Sequence, residues 1–189
     1  MKSCSADKIA LNDASGNRAD VGRLHVMKLL RGFFWLLAIC WVGTGAAFGD
    51  TAADYYTNGV QQTDKEEWPA ALTNFNQAIE RRPDYADAYY ERSRARFCMG
   101  DLDGALADCN QAIAIKPADA KPYYGRGWVE NAKGDPQGAL ADYDKAIEVD
   151  SNYANAYYGR SALKFTKGDL AGALVDCNKA IQLKLHTHQ

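Results

Sequence analysis

Three histidines occur in the 189 residues, and their positions leave little room for general acid-base chemistry. His25 precedes an apolar stretch, and His186 and His188 close the chain, so none stands inside the regular part of the sequence where a base would be held against a substrate. His186 and His188 read as a frayed terminus rather than a metal site. Beyond the apolar stretch the cysteines are Cys98, Cys109 and Cys177, an odd number without a CxxC pair or metal-type spacing. Gly-Asp pairs at Gly100-Asp101, Gly134-Asp135 and Gly168-Asp169 follow no strand pattern, so they read as helix punctuation and not as phosphate loops. The carboxylates fall mostly on solvent faces or caps. These residues predict no enzyme, no cofactor and no metal.

The elements that carry them begin after a leader. Met27 opens a stretch with Lys28 and Arg31 as a positive start, Gly32 to Val42 as an apolar middle and Gly43 to Gly49 as a small-residue end. That is the layout of a signal peptide over 27–49, with cleavage near Ala47 or Gly49. The apolar run falls short of the roughly 20 residues of a membrane span, so an uncleaved inner-membrane anchor is the alternative reading. Residues 1–26 are polar and read as a non-native or disordered extension, with Met27 as the start. Cys40 follows Ile39, where a lipoprotein signal needs a small residue, so no lipid anchor is expected. The chain is therefore expected to be exported, to a bacterial periplasm or outside the cell, with membrane contact only if the signal stays attached. From Asp50 onward 16 lysines and arginines stand against 21 aspartates and glutamates, a balance that argues against nucleic acid, whose binders usually carry a basic face.

A shift of 34 residues lays the rest of the chain on itself. Tyr55-Tyr56, Tyr89-Tyr90, Tyr123-Tyr124 and Tyr157-Tyr158 recur at that spacing, as do Ala71, Ala105, Ala139 and Ala173, then Ala78, Ala112, Ala146 and Ala180. Four units result, 52–85, 86–119, 120–153 and 154–187. Apolar and small residues recur three and four places apart on either side of each breaker, so each unit is a pair of helices. The glycine supplies a left-handed turn, the aspartate caps the second helix, and Pro69 and Pro136 suit its first turn. Cys109 and Cys177 occupy the place of Phe75 and Tyr143 and read as small buried hydrophobes. Arg92, Arg126 and Arg160 precede Asp108, Asp142 and Asp176 by 16 residues, whereas the unit with Asn58 has Asn74. Both residues change together, which predicts Arg–Asp pairing within or between units, stronger than an exposed pair at about 0–1 kcal/mol.

This pattern resembles the tetratricopeptide repeat family, over all four units of 52–187. Tyr55, Tyr89, Tyr123 and Tyr157 match its bulky place in the first helix, Gly59, Ser93, Gly127 and Ser161 its small crossing residue, and the alanines its packing residues. The closing proline, present as Pro83 and Pro117, is replaced by Ser151 and Leu185. The resemblance implies an all-α solenoid of about four helix-turn-helix repeats forming a right-handed superhelix, with first helices on the inner surface. It also implies that the second tyrosine of each pair points inward, giving Tyr56, Tyr90, Tyr124 and Tyr158, with Arg94, Phe97, Trp128, Asn131 and Phe165 nearby. These types concentrate binding energy at interfaces, so a protein or peptide partner in the groove is expected. The alternative for any one ring is packing between neighbouring units. Members that grip a terminal carboxylate use an inward lysine where this chain has tyrosine throughout, so that specificity is not expected. No polar helix comes after the fourth unit to cover Leu174, Ile181, Leu183 and Leu185, so either the partner covers this face or a homo-oligomer formed through it does, which is the second expectation.

Overall fold

Alternating helix lengths with a fixed spacing are what the repeat dictates, and the computed structural model, which describes residues 51–186, has them. The first helices of the units are α1 (Ala52–Asp64), α3 (Ala86–Cys98), α5 (Ala120–Ala132) and α7 (Ala154–Thr166), each 13 residues long. The second helices are α2 (Trp68–Arg81), α4 (Leu102–Ile115) and α6 (Pro136–Val149), each of 14 residues, and α8 (Leu170–His186), of 17. No strand occurs among the described residues. The extension 1–26, the signal 27–49 with Cys40, His25 and His188 lie outside them, as do the side chains of Leu185 and His186. Among the described residues no helix is long and apolar enough to cross a membrane.

The turns form for local reasons. Gly100, Gly134 and Gly168 take φ of 84°, 85° and 84°, a region costly to residues with a Cβ. The next residue then caps the second helix: Asp101, Asp135 and Asp169 each accept a hydrogen bond at 2.9 Å, from the backbone N–H of Gly104, Gly138 and Gly172. The first unit has Glu66 in the glycine place at φ 62°, a conformation that costs a non-glycine residue about 1–2 kcal/mol. Its α2 also lacks a side-chain cap.

Each helix packs on the next in sequence, and the first helices additionally touch one another, α1 on α3, α3 on α5 and α5 on α7. The second helices do not touch one another. Closer spacing on one side bends a stack toward that side, so the first helices line its concave face.

The repeated alanines Ala71, Ala78, Ala105, Ala112, Ala139 and Ala146 are fully buried. A volume exchange runs beside them. In the first and third units the crossing residue is glycine and its neighbour on the second helix is an aromatic ring: a Cβ at Gly59 would sit 2.5 Å from Phe75 Cε1, and one at Gly127 2.8 Å from Tyr143 Cε1. In the second unit the crossing residue is Ser93, and the ring is replaced by Cys109, whose Sγ lies 3.3 Å from Ser93 Oγ. Ser161 and Cys177 repeat that combination in the fourth unit. Either a glycine takes a ring or a serine takes a thiol, which keeps the interhelix gap filled at native density. Cys109 is fully buried, Cys177 is half-buried, and both are free thiols. Burial pushes the Cys109 thiol up to about 12, which suits a packing role and not a nucleophile.

At the end of the stack Leu174, Val175 and Ile181 are 62%, 67% and 53% exposed. One unit earlier, Leu140 and Ile147 pack against the core that α7 helps to close.

Candidate functional site

The concave face is held in place by a three-helix tie that recurs in the second, third and fourth units. Arg92 donates from Nε to Asp108 Oδ2 at 2.9 Å and from Nη2 to Oδ1 at 2.6 Å. Arg126 does the same to Asp142 at 2.7 and 2.6 Å, and Arg160 to Asp176 at 2.8 and 2.6 Å. Such parallel two-pronged bonds are the strongest ion-pair geometry available to arginine. The pairing lies within each unit. The third guanidinium nitrogen reaches the preceding unit: Nη1 donates to Asn76 Oδ1 from Arg92 at 2.8 Å, to Asn110 Oδ1 from Arg126 at 2.8 Å, and to Asp144 Oδ1 from Arg160 at 2.6 Å. Beneath each guanidinium lies the first tyrosine of the pair, Tyr89, Tyr123 or Tyr157, with centroids at 5.2, 5.7 and 5.5 Å. Burial pulls the Asp176 carboxyl up, but the hydrogen bonds from Arg160 and Lys164 outweigh it and hold the group below the usual carboxylate range. In the first unit Asn74 instead donates to Gln62 at 2.7 Å, and Arg81 takes over the place above Tyr55, 4.3 Å from its centroid.

The inward tyrosines divide into two groups. Tyr90 and Tyr124 are each only 7% exposed. Tyr124 packs against Trp128, Tyr143 and Tyr153 with centroids 6.1, 5.9 and 5.7 Å away, and a Cβ at Gly159 of the next unit would stand 3.2 Å from its Cε2, so it seals the joint between units. Burial likewise pushes the Tyr90 phenol well above its ordinary value, keeping it neutral. Tyr56 is half-buried, stacked 5.0 Å from Tyr85. Packing between units is thus the part played by Tyr90 and Tyr124. Tyr158 and Phe165, by contrast, are 51% and 65% exposed, and Asn131 is exposed too. Trp128 and Phe97 are half-buried and meet edge to face at 5.9 Å and 76°. Arg94 is half-buried and bound to Glu91 at 2.5 Å on its own helix.

What remains open is a cleft of about 260 Å³ between α5 and α7, lined by Trp128, Asn131, Tyr158, Ala162, Leu163 and Thr166. Its lining is aromatic at Trp128, Tyr143 and Tyr158, small at Gly159 and Ala162, and polar at Asn131 and Thr166. No charged side chain lines it. Such a site orients one apolar side chain and the amide groups beside it.

A model of the tetratricopeptide repeat matches residues 63–120, and a second model of the same repeat matches 127–168. The chain belongs to the tetratricopeptide repeat family. No curated protein sequence matches it. Among solved structures it is similar to residues 41 to the end of MamA from Desulfovibrio magneticus RS-1, at 20% identity over 73% of this chain and 78% of that one, with TM-score 0.61. It is also similar to TTC0263, a thermophilic tetratricopeptide repeat protein of Thermus thermophilus, at 23% identity over 70% and 74% of the chains, with TM-score 0.66. A third similarity is to the first repeat domain of Spaghetti (RPAP3) bound to the HSP90 peptide SRMEEVD, at 20% identity over 62% and 94%, with TM-score 0.59. At these identities the likeness is one of tetratricopeptide fold.

Proposed function

We propose that this tetratricopeptide protein is an exported, non-enzymatic scaffold that holds an apolar segment of a partner protein on its concave face, centred on the α5–α7 cleft. The observation that carries the reading is the exposure of Tyr158 and Phe165 on a face whose other aromatics are buried or half-buried. Exposed rings rimmed by polar groups mark interaction surfaces more often than chance. The RPAP3 domain is a precedent for peptide binding on this fold, but its peptide SRMEEVD is acidic. The cleft here offers aromatic and small side chains and no cation, which favours an uncharged, apolar segment.

Tyr158→Ala and Phe165→Ala together are expected to weaken partner binding at least about tenfold, the loss of one to two interface anchors, with little change in melting temperature because both rings are exposed. Unchanged affinity would remove the cleft from the account. Export rests on the signal pattern of 27–49, and N-terminal sequencing of the mature chain should begin just after Ala47 or Gly49; a start at Met1 would contradict it.

One observation favours a second reading. Leu174, Val175 and Ile181 lie uncovered where preceding units seat another helix, which suits an assembly role through the fourth repeat. Capture of the protein by itself alone, in the experiment that closes the Discussion, is the outcome that reading expects.

A further inference from the structure

Four residues after each tying arginine, or after Asn58 in the first unit, stands a side chain that faces the aspartate, or Asn74, of the second helix. Across the units it is Gln62, Arg96, Glu130 and Lys164. In the first unit Asn74 donates to Gln62 Oε1 at 2.7 Å; in the second Arg96 Nη1 donates to Asp108 Oδ2 at 2.8 Å; in the fourth Lys164 Nζ donates to Asp176 Oδ2 at 2.8 Å. In each a donor meets an acceptor. The third unit sets one carboxyl, Glu130, against another, Asp142.

The cations on the surrounding helices are already engaged. Arg126, on the same helix as Glu130, spends Nε and Nη2 on Asp142 and Nη1 on Asn110. On α7 and the turn after it, Arg160 is held by Asp144 and Asp176, Lys164 by Asp176, and Lys167 by the Pro136 carbonyl. Lys133 is bound to Asp103 on α4, while on α3 Arg92 and Arg96 are both bound to Asp108. Asp135, the α6 cap, adds a further negative charge beside Glu130. Glu130 Oε2 is buried without a hydrogen-bond partner, and Gly138 approaches so closely that a Cβ there would stand 2.8 Å from it. Two carboxylates sharing one arginine in a partly dry site cannot both stay ionised cheaply, and a proton supplies the donor that the other units provide as an amide, a guanidinium or an ammonium.

We propose that Glu130 holds a proton against the Asp142 carboxylate in the folded third repeat up to near-neutral pH, making the α5–α6 hairpin a proton-binding joint that the other three repeats lack. The electrostatics agree. Burial, then the Asp142 charge, push the Glu130 carboxyl up from its ordinary 4.5 to about 7, against the opposing pull of Arg126. Because the folded value is the higher one, the stability this group contributes is complete below the unfolded value of 4.5 and is lost as pH rises through about 7. The same hairpin carries Trp128 and Asn131, so the cleft sits on the part of the stack that loosens when the proton leaves.

The test uses the full chain with ¹³C-labelled glutamate side chains, and Glu130→Gln to assign the signal. One carboxyl carbon, missing in Glu130→Gln, should titrate with a midpoint near 7, well apart from the remaining glutamates. The excess stability, read as melting temperature, should fall between about pH 4.5 and 7 in the natural chain, levelling off above, and be nearly absent in Glu130→Gln, which supplies an amide donor, and Glu130→Lys, which supplies the donor found at Lys164. A Glu130 signal that titrates with the other glutamates would overturn the proposal, as would a Glu130→Gln chain that loses stability as steeply as the natural one.

Discussion

Replacing Gly127 by serine is expected to cost about 2–3 kcal/mol of stability, and combining it with Tyr143→Cys should cost clearly less than the two single losses added. A Cβ at Gly127 would meet Tyr143 Cε1 at 2.8 Å, Cδ1 at 3.0 Å and the Ala139 carbonyl oxygen at 3.1 Å, so both a buried ring and a helix backbone would have to shift. Helix propensity returns only about 0.5 kcal/mol of this, since serine is the better helix former. Tyr143→Cys alone removes a ring that is 3% exposed and packed on Tyr124, and should cost about 3 kcal/mol through the cavity it leaves. The double variant rebuilds in the third repeat the serine–thiol joint that Ser93 and Cys109 form in the second. Recovery stops short of complete, because the Tyr124 contact is still missing. Urea unfolding of the four chains measures it: a coupling of about 1 kcal/mol or more supports the volume exchange, and strictly additive losses would count against it.

Asp108→Ala should be as damaging, at about 3 kcal/mol. Its carboxylate, 4% exposed, accepts two hydrogen bonds from Arg92 and one from Arg96, so the substitution leaves two guanidinium groups facing each other around an empty place. Removing one partner of a buried pair costs about 3–5 kcal/mol, and the low end applies because the arginines retain 14% and 25% exposure. Arg92 would also lose the orientation that lets Nη1 reach Asn76, so the joint between the first and second repeats should loosen with it. Asp103→Ala is the control: that carboxylate, 89% exposed, pairs with Lys133 at the surface, and its loss should leave the melting curve unchanged. Equal effects from the two substitutions would mean that the buried tie does not hold the stack.

Sequence reasoning reached the fold because the features that set it are local. Gly100, Gly134 and Gly168 can be recognised as turn residues without knowing any contact, and the 34-residue shift then places every helix. The arginine–aspartate tie was legible for a related reason: where Asn58 replaces the arginine, Asn74 replaces the aspartate, and a pair that changes together announces its contact. The same offset of 16 residues joins Gly59 to Phe75, Ser93 to Cys109, Gly127 to Tyr143 and Ser161 to Cys177. That signal was available, but the two columns had to be compared by volume and not by charge.

The candidate site was less legible, because the exposure of a ring depends on the unit stacked behind it. Tyr124 and Tyr158 are equivalent in sequence, yet Tyr124 is closed in by Gly159 of the next unit, while Tyr158 has no fifth unit behind it among the described residues. No periodicity distinguishes the two. The reach of each arginine to Asn76, Asn110 or Asp144 was hidden likewise, since it crosses from one unit to the one before. Glu130 stands out only once its neighbours show that this place otherwise receives a donor or an amide.

The groove is tested most directly by in-cell photo-crosslinking from position 162, which lines the cleft, against position 141, an exposed residue of α6 on the opposite class of helices. The account predicts one specific partner captured from 162, absent from 141, and lost when Phe165→Ala is added. Equal capture from both positions, or capture of nothing beyond the protein itself, would contradict a partner-binding concave face.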